Sequence, residues 1–203
     1  MPTSLIIVDD FLDNPQQLRE AALRLTYPQV QGAFPGRNSV ERIDIGGLAN
    51  QVSRLVGEHV EPMPPPQSHG KCRITLASDV GKAKVHVDGA HWSGILYLSR
   101  PEDCRGGTEF FRHKATNTDR APYDDREAAG HGFASARQMV TEILDRDSRD
   151  DSKWEMTMRV PMRFNRLILL RPWLWHTAGE NFGDSLQNGR LVYLMFFAMA
   201  AGR

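Results

Sequence analysis

The 203-residue sequence reads as mainly β with flanking helices, the N-terminal helices packing on a jelly-roll core. Three observations predict this. Apolar residues recur at helical spacing in the first sixty positions, and from Cys72 onward the period changes to two over several short stretches separated by turn residues. Helices and strands are also segregated along the chain. That order favours helices layered on an antiparallel sandwich or barrel over alternating βαβ units. The length suits a single domain with a substantial core. Its expected parts are a helical front section (1–66), jelly-roll strands over 71–112 and 154–199, and an insertion over 113–153, expected to serve as a lid or substrate wall.

Taken in order, Leu5 to Val8 is a short apolar β-branched run. Asn14 then offers an N-cap, Pro15 occupies the first helical position, and Gln17 is placed to close a capping box. Leu18, Ala21, Ala22 and Leu25 share one face of that helix, which Tyr27-Pro28 terminates. Phe34 to Asn38 reads as loop, Arg37 included. A second amphipathic helix is expected from Leu48 to about His59, on Leu48, Val52, Leu55 and Val56, and Pro62 to Pro66 forms a stiff spacer after it. Strands are expected at Lys71–Ala77, Lys84–Asp88, Ser93–Ser99 and Glu109–Phe111. The insertion is polar and acidic, with one helix from Ser135 to about Arg146. Strands resume at Trp154–Val160, Leu167–Leu170 and Leu191–Ala198.

Composition narrows the function classes. Apolar residues make up 40% and charged residues 25%, as in a globular protein, and lysine plus arginine balance aspartate plus glutamate at zero net charge. That balance gives no reason to expect a nucleic-acid partner. The N-terminal apolar run is too short for a signal peptide and no stretch reaches bilayer length, so the expectation is a cytoplasmic protein with no membrane partner. The two cysteines, Cys72 and Cys104, lack any paired spacing and are expected to be free thiols.

The chemistry centres on His86-Val87-Asp88. In an extended segment, side chains two apart project from one face, so His86 and Asp88 lie side by side. One imidazole and one carboxylate are two thirds of a 2-His-1-carboxylate triad, which holds non-haem Fe(II) and leaves coordination positions open. His176, in Trp173-Leu174-Trp175-His176-Thr177, is the candidate third ligand. The bare tripeptide is expected by chance roughly 0.5 times in such a chain. Its neighbours therefore decide.

Those neighbours resemble the 2-oxoglutarate and Fe(II)-dependent oxygenase superfamily, and most closely its prolyl-4-hydroxylase-like branch. The shared elements, in order, are His86-Val87-Asp88, a strand through Gly94-Ile95-Leu96-Tyr97-Leu98-Ser99, a Gly106-Gly107 turn into Thr108-Glu109-Phe110-Phe111, a hydrophobic strand from Asn165 to Leu170 leading to His176, and Gly189-Arg190-Leu191-Val192-Tyr193-Leu194. The resemblance implies a double-stranded β-helix core, with Fe(II) held by His86, Asp88 and His176. It also implies 2-oxoglutarate and O2 as cosubstrates, with the far carboxylate of 2-oxoglutarate met by Arg190, whose planar fork suits a carboxylate. Tyr97 matches the position of a hydroxyl donor to that carboxylate, and Ser93 shares its strand face. Asp88 stands where halogenating members carry a small residue, which favours hydroxylation. By analogy with the branch, the substrate is an amino acid side chain, in a small molecule or a peptide. Two departures are the long insertion and a fourteen-residue gap from His176 to Arg190.

Two rival readings remain at this point. One is a non-catalytic jelly-roll binding module with a vestigial metal site, the other a cupin-like metalloenzyme that does not use 2-oxoglutarate. His91, His113 and His131 read as solvated or packed histidines. Arg163, Arg166 and Arg171 read as snorkelling or ion-paired. Trp173 and Trp175 are expected to wall the pocket.

Overall fold

The computed structural model describes residues 3–29 and 32–200. In chain order its elements are β1 (Leu5–Val8), α1 (Pro15–Leu23), β2 (Arg37–Asn38), α2 (Leu48–Val56), β3 (Val60–Pro62), β4 (Cys72–Thr75), β5 (Trp92–Tyr97) and β6 (Gly107–His113). The insertion contributes α3 (Asp125–Gly130) and α4 (Ala136–Asp147), and the chain returns through β7 (Trp154–Pro161), β8 (Leu167–Leu170), β9 (His176–Thr177) and β10 (Arg190–Met199). The major sheet runs β1-β8-β5-β10-β4-β2, with β3 also on β10, and the minor sheet runs β7-β6-β9. All these pairings are antiparallel. This is a jelly roll with N-terminal helices on one face. No helix among the described residues is long and apolar enough to cross a membrane.

The caps form much as their residues dictate. Asn14 Oδ1 accepts the Gln17 amide at 3.3 Å, and Ser135 accepts the Gln138 amide to open α4. The second helix stops earlier than expected, because Gly57 adopts a left-handed conformation after Val56. The chain then pairs with β10 as β3, so the front section contributes a strand as well as helices.

Period-two alternation in β10 organises the interior. Leu191, Tyr193, Met195 and Phe197 pack outward with Leu18, Ala22, Val52 and Val56 of the helices. Arg190, Val192, Leu194 and Phe196 point the other way and line a cavity between the sheets. β4 is split likewise: Cys72 and Ile74 enter the helix-side core, while Arg73 and Thr75 face the cavity. Tyr97, Phe110, Val160, Ile168 and Leu170 fill the remaining interior between the sheets. Each such buried aliphatic or aromatic side chain contributes about 1.5–3 kcal/mol.

Four expectations change here. Lys84–Asp88 is not a strand: it makes a single bridge, His86 to His176. The insertion carries a helix the periodicity did not reveal, α3. Its helices do not arch over the cavity either. Met139, Ile143 and Ala128 pack with Phe111, Trp154 and Trp175 against the outer face of the minor sheet, because α4's apolar stripe and that sheet's outer side chains bury each other. Arg149 is the insertion residue that reaches the cavity. Trp175 is fully buried in this second core and Trp173 packs at its edge. Neither tryptophan lines the cavity, so the two do not form the expected wall beside His176.

Candidate metal and cosubstrate site

His86 and His176 face each other across an antiparallel bridge. The amide of each donates to the carbonyl of the other, at 2.9 and 3.1 Å. A direct cross-strand pair puts two side chains side by side on one face. The imidazole centroids are accordingly 4.3 Å apart. Asp88 reaches the same point, with 3.8 Å between His86 Nε2 and Asp88 Oδ1 and 3.6 Å between His176 Nε2 and Asp88 Oδ2. Three potential ligand atoms, one from each residue, lie within 4.8 Å of one another. Bonds of about 2.0–2.2 Å to a common ion put neighbouring ligand atoms roughly 3 Å apart, which the triad reaches by a small contraction.

The ring orientations are set from behind. His86 Nδ1 lies 3.0 Å from the Lys84 carbonyl and His176 Nδ1 2.7 Å from the Leu174 carbonyl. A carbonyl only accepts, so each Nδ1 carries a proton and Nε2 is the atom that each ring turns to the centre. Burial, then the neighbouring His176, pushes His86 down to about 4, so the ring is neutral near pH 7. Burial pushes Asp88 up, but His176, His86 and the Ser93 hydroxyl outweigh it and hold the carboxyl at about 2. Two imidazole Nε2 atoms and one carboxylate therefore face a common point, a donor set that suits Fe(II) and related divalent ions.

Ser93 contributes differently from the expectation. Its hydroxyl donates to Asp88 Oδ2 at 2.8 Å, so it orients the carboxylate. Hydrogen bonds of this kind behind a ligand tune metal affinity. Tyr97 also departs. Its hydroxyl accepts the Thr108 amide at 2.9 Å and pairs with the Thr108 hydroxyl at 2.7 Å. Thr108 pairs with it because β5 and β6 face each other across the sandwich at this level. Tyr97 is fully buried and does not line the cavity; its ring lies behind Arg190, with the centroid 5.8 Å from the guanidinium carbon.

Arg190 opens β10 directly opposite Thr75. It is 2% exposed and lines the cavity that holds His86, Asp88 and His176. Among the described residues, its Nε and Nη2 have no hydrogen-bond partner. Burial pulls its pKa below the ordinary arginine value, although the Tyr97 side chain counters this. Buried donors are ordinarily paired, so an orphaned guanidinium in a cavity is a cradle for an anion. The cavity measures about 550 Å³, the range of small-molecule sites.

The loops around the cavity depend on close approaches. A Cβ on Gly179, just past His176, would lie 1.9 Å from the Gly107 carbonyl oxygen, so the Gly106-Gly107 turn and the exit from β9 touch backbone to backbone. Five of the other histidines and arginines singled out in the sequence are taken up by protein partners away from the cluster. His91 pairs with Glu58, which also binds Arg171, and His113 is buried against Asp147. Arg163 and Arg166 pair with Asp9. Sequence reasoning missed Phe34, whose ring centroid is 4.3 Å from that of His86, and Arg73, Thr75 and Asn38 in the cavity wall. The signal available for Arg73 and Thr75 was their place two apart in a strand that pairs with the one opened by Arg190.

Comparison with known proteins supports the fold. A sequence family described as a family of unknown function (DUF6445) matches residues 2–197. No curated protein matches the chain by sequence. Among solved structures, the chain is similar to HygX from Streptomyces hygroscopicus with nickel, 2-oxoglutarate and hygromycin B bound. The TM-score is 0.58 at 12% identity, over 97% of this chain and 83% of that one. HygX with nickel and 2-oxoglutarate bound gives a TM-score of 0.51 at 13% identity over the same shares. At these identities the likeness shows a 2-oxoglutarate-oxygenase-like fold.

Proposed function

We propose, for a chain that belongs to the DUF6445 family, that it is an Fe(II)- and 2-oxoglutarate-dependent dioxygenase. One observation carries the reading: a buried guanidinium with two donors unpartnered among the described residues lines the same cavity as a His-Asp-His cluster. Iron bound at that cluster, with 2-oxoglutarate and O2, would supply oxidation of an unactivated C–H bond, with succinate and CO2 as co-products.

The chain's own part is geometric. The Lys84 and Leu174 carbonyls hold both imidazoles with Nε2 inward, and Ser93 holds Asp88. Arg190 is the group for the distal carboxylate of 2-oxoglutarate, and Thr75, opposite it in the sheet, lies within reach of the same place. Phe34 covers the outer side of His86 and limits water there. No protein acid or base is required at the reacting carbon. Positioning of the target next to the open coordination sites is what the protein adds.

The finer reading is hydroxylation of an amino acid side chain, free or peptidyl, which rests on the prolyl-4-hydroxylase-like order of the sequence motifs, by a cytoplasmic enzyme, which rests on the sequence's lack of a signal-like or bilayer-length apolar run. Asp88 supports hydroxylation over halogenation. The inward Arg190 counts against a metalloenzyme that does not use 2-oxoglutarate. The test is anaerobic addition of Fe(II) and then 2-oxoglutarate. A weak visible charge-transfer band should develop and be absent in His176→Ala. A wild-type protein with no band, and no succinate formed in air, would refute the reading and leave the vestigial binding module in its place.

A further inference from the structure

The segment that shields His86 is anchored from inside the cavity. Phe34 and Pro35 sit in a turn whose carbonyl oxygens both accept from Arg73 Nη2, the Phe34 contact at 3.0 Å. Arg73 Nη1 donates to Asn38 Oδ1 at 2.6 Å, and Asn38 continues to the Ser68 hydroxyl. The turn lies tight on β4: a Cβ on Gly36, whose φ is +86°, would meet the Ile74 carbonyl and the Thr75 hydroxyl at 2.4 Å. A second segment docks on the first, through the Ala83 amide to the Ala33 carbonyl at 2.8 Å and Gly81 against Pro35. Together they supply Phe34, Pro35, Val80, Gly81 and Ala83 to the cavity wall.

Arg73 also shares the cavity with Arg190. In the β4–β10 ladder Arg190 lies opposite Thr75 and Val192 opposite Arg73, so the two guanidinium-bearing residues sit one step apart on the same inner face. No carboxylate pairs with either among the described residues. Burial, then the charge of Arg190, pushes Arg73 down to about 10, so its buried position is electrostatically costly. An anion between the two would remove most of that cost. Withdrawing Arg73 into water, which frees the turn, would remove it as well.

We propose that Arg73 is a positioning residue that couples cosubstrate binding to the wall over the metal site: a carboxylate bound at Arg190 holds Arg73 in the cavity, and Arg73 holds the Phe34–Pro35 turn against His86. This rests on the function proposed above. A ligand shifts an equilibrium by its differential affinity for the two states, and an anion at Arg190 favours the state in which Arg73 is buried. The cosubstrate therefore completes the wall that the substrate meets. The coupling is reciprocal, so loss of the Arg73 link weakens cosubstrate binding by the same factor that it frees the turn.

The experiment is hydrogen exchange on the Mn(II)-loaded protein, with and without saturating 2-oxoglutarate, following peptides over 33–36 and 79–83. In the wild type 2-oxoglutarate should slow exchange of both segments by about fivefold or more, the lower end of ordinary coupling. In Arg73→Gln the Fe(II) charge-transfer band should still form at saturating 2-oxoglutarate, at a higher half-saturating concentration and without the slowed exchange. Arg73→Lys, which keeps the charge and loses the fork, should recover part of it. A wild-type band with unchanged exchange at 33–36, or full protection in Arg73→Gln, overturns the coupling and leaves the function standing. Absence of the band in the wild type overturns the function, and the coupling with it.

Discussion

Replacing Arg190 with methionine should move stability and cosubstrate binding in opposite directions. Arg190 is 2% exposed, with two donors unpartnered among the described residues. An unmet buried donor costs about 1–3 kcal/mol, and a buried charge exchanged for an apolar group of similar volume is commonly neutral or stabilising. The metal-loaded variant without cosubstrate is therefore expected to be more stable by about 1–3 kcal/mol, which for a chain of this size raises Tm by roughly 2–10 °C. With 2-oxoglutarate the sign reverses. Two charge-assisted hydrogen bonds at about 1.5–3 kcal/mol each are lost, weakening binding roughly 10²- to 10⁴-fold. At a hundred times its Kd, 2-oxoglutarate stabilises the wild type by about 2.7 kcal/mol and the variant by almost nothing. Thermal melts of the Mn(II)-loaded proteins with and without 2-oxoglutarate measure both, and the two curves should cross. A variant that melts several degrees lower without cosubstrate, or keeps the wild-type shift with it, would refute the assignment of Arg190 as an anion site kept at a cost to stability.

Ser93→Ala should weaken Co(II) or Fe(II) binding about tenfold by freeing Asp88 Oδ2, while 2-oxoglutarate affinity at saturating metal stays the same. The converse pattern in metal and cosubstrate titrations would return Ser93 to the cosubstrate. Acid should destabilise the metal-free protein. His86 is held down to about 4 by burial and His176, and burial lowers His69 too, so below about pH 6.5 the unfolded chain takes up protons that the folded chain refuses. Stability is then lost as pH falls from about 6.5 toward 4, by up to about 3 kcal/mol for His86 alone, and the loss should be smaller in metal-free His86→Asn melts. Ile143→Ala in α4 should cost about 2–5 kcal/mol in denaturant unfolding, because it opens a void between the insertion and the minor sheet. A loss under 1 kcal/mol would mean that α4 is a loosely held lid.

The residues legible in the sequence were those whose meaning is local. His86 and Asp88, two apart, share a face in any extended backbone, and the order of motifs through Arg190 carries the jelly-roll topology. Asn14, Pro15 and Ser135 marked helix starts because a cap needs only neighbours within three residues. Ser93, Tyr97, Trp173 and Trp175 meet partners other than those expected, because a strand face says which way a side chain points and not what it meets. Asp88 took the Ser93 hydroxyl, Thr108 took that of Tyr97, and the tryptophans were drawn into a core whose other half is α4.

By itself, then, the sequence determined which side chains have the chemistry to hold a metal or a carboxylate, since ligand type, charge and strand parity are properties of short segments. Only the tertiary structure decided that His176 stands opposite His86 across a bridge, that Arg190 Nε and Nη2 have no hydrogen-bond partner among the described residues, and that Phe34 and Arg73 belong to the same cavity. Those facts depend on contacts between residues far apart along the chain. They arise where sheets and loops close on one another, through cross-strand register and burial that no local pattern encodes.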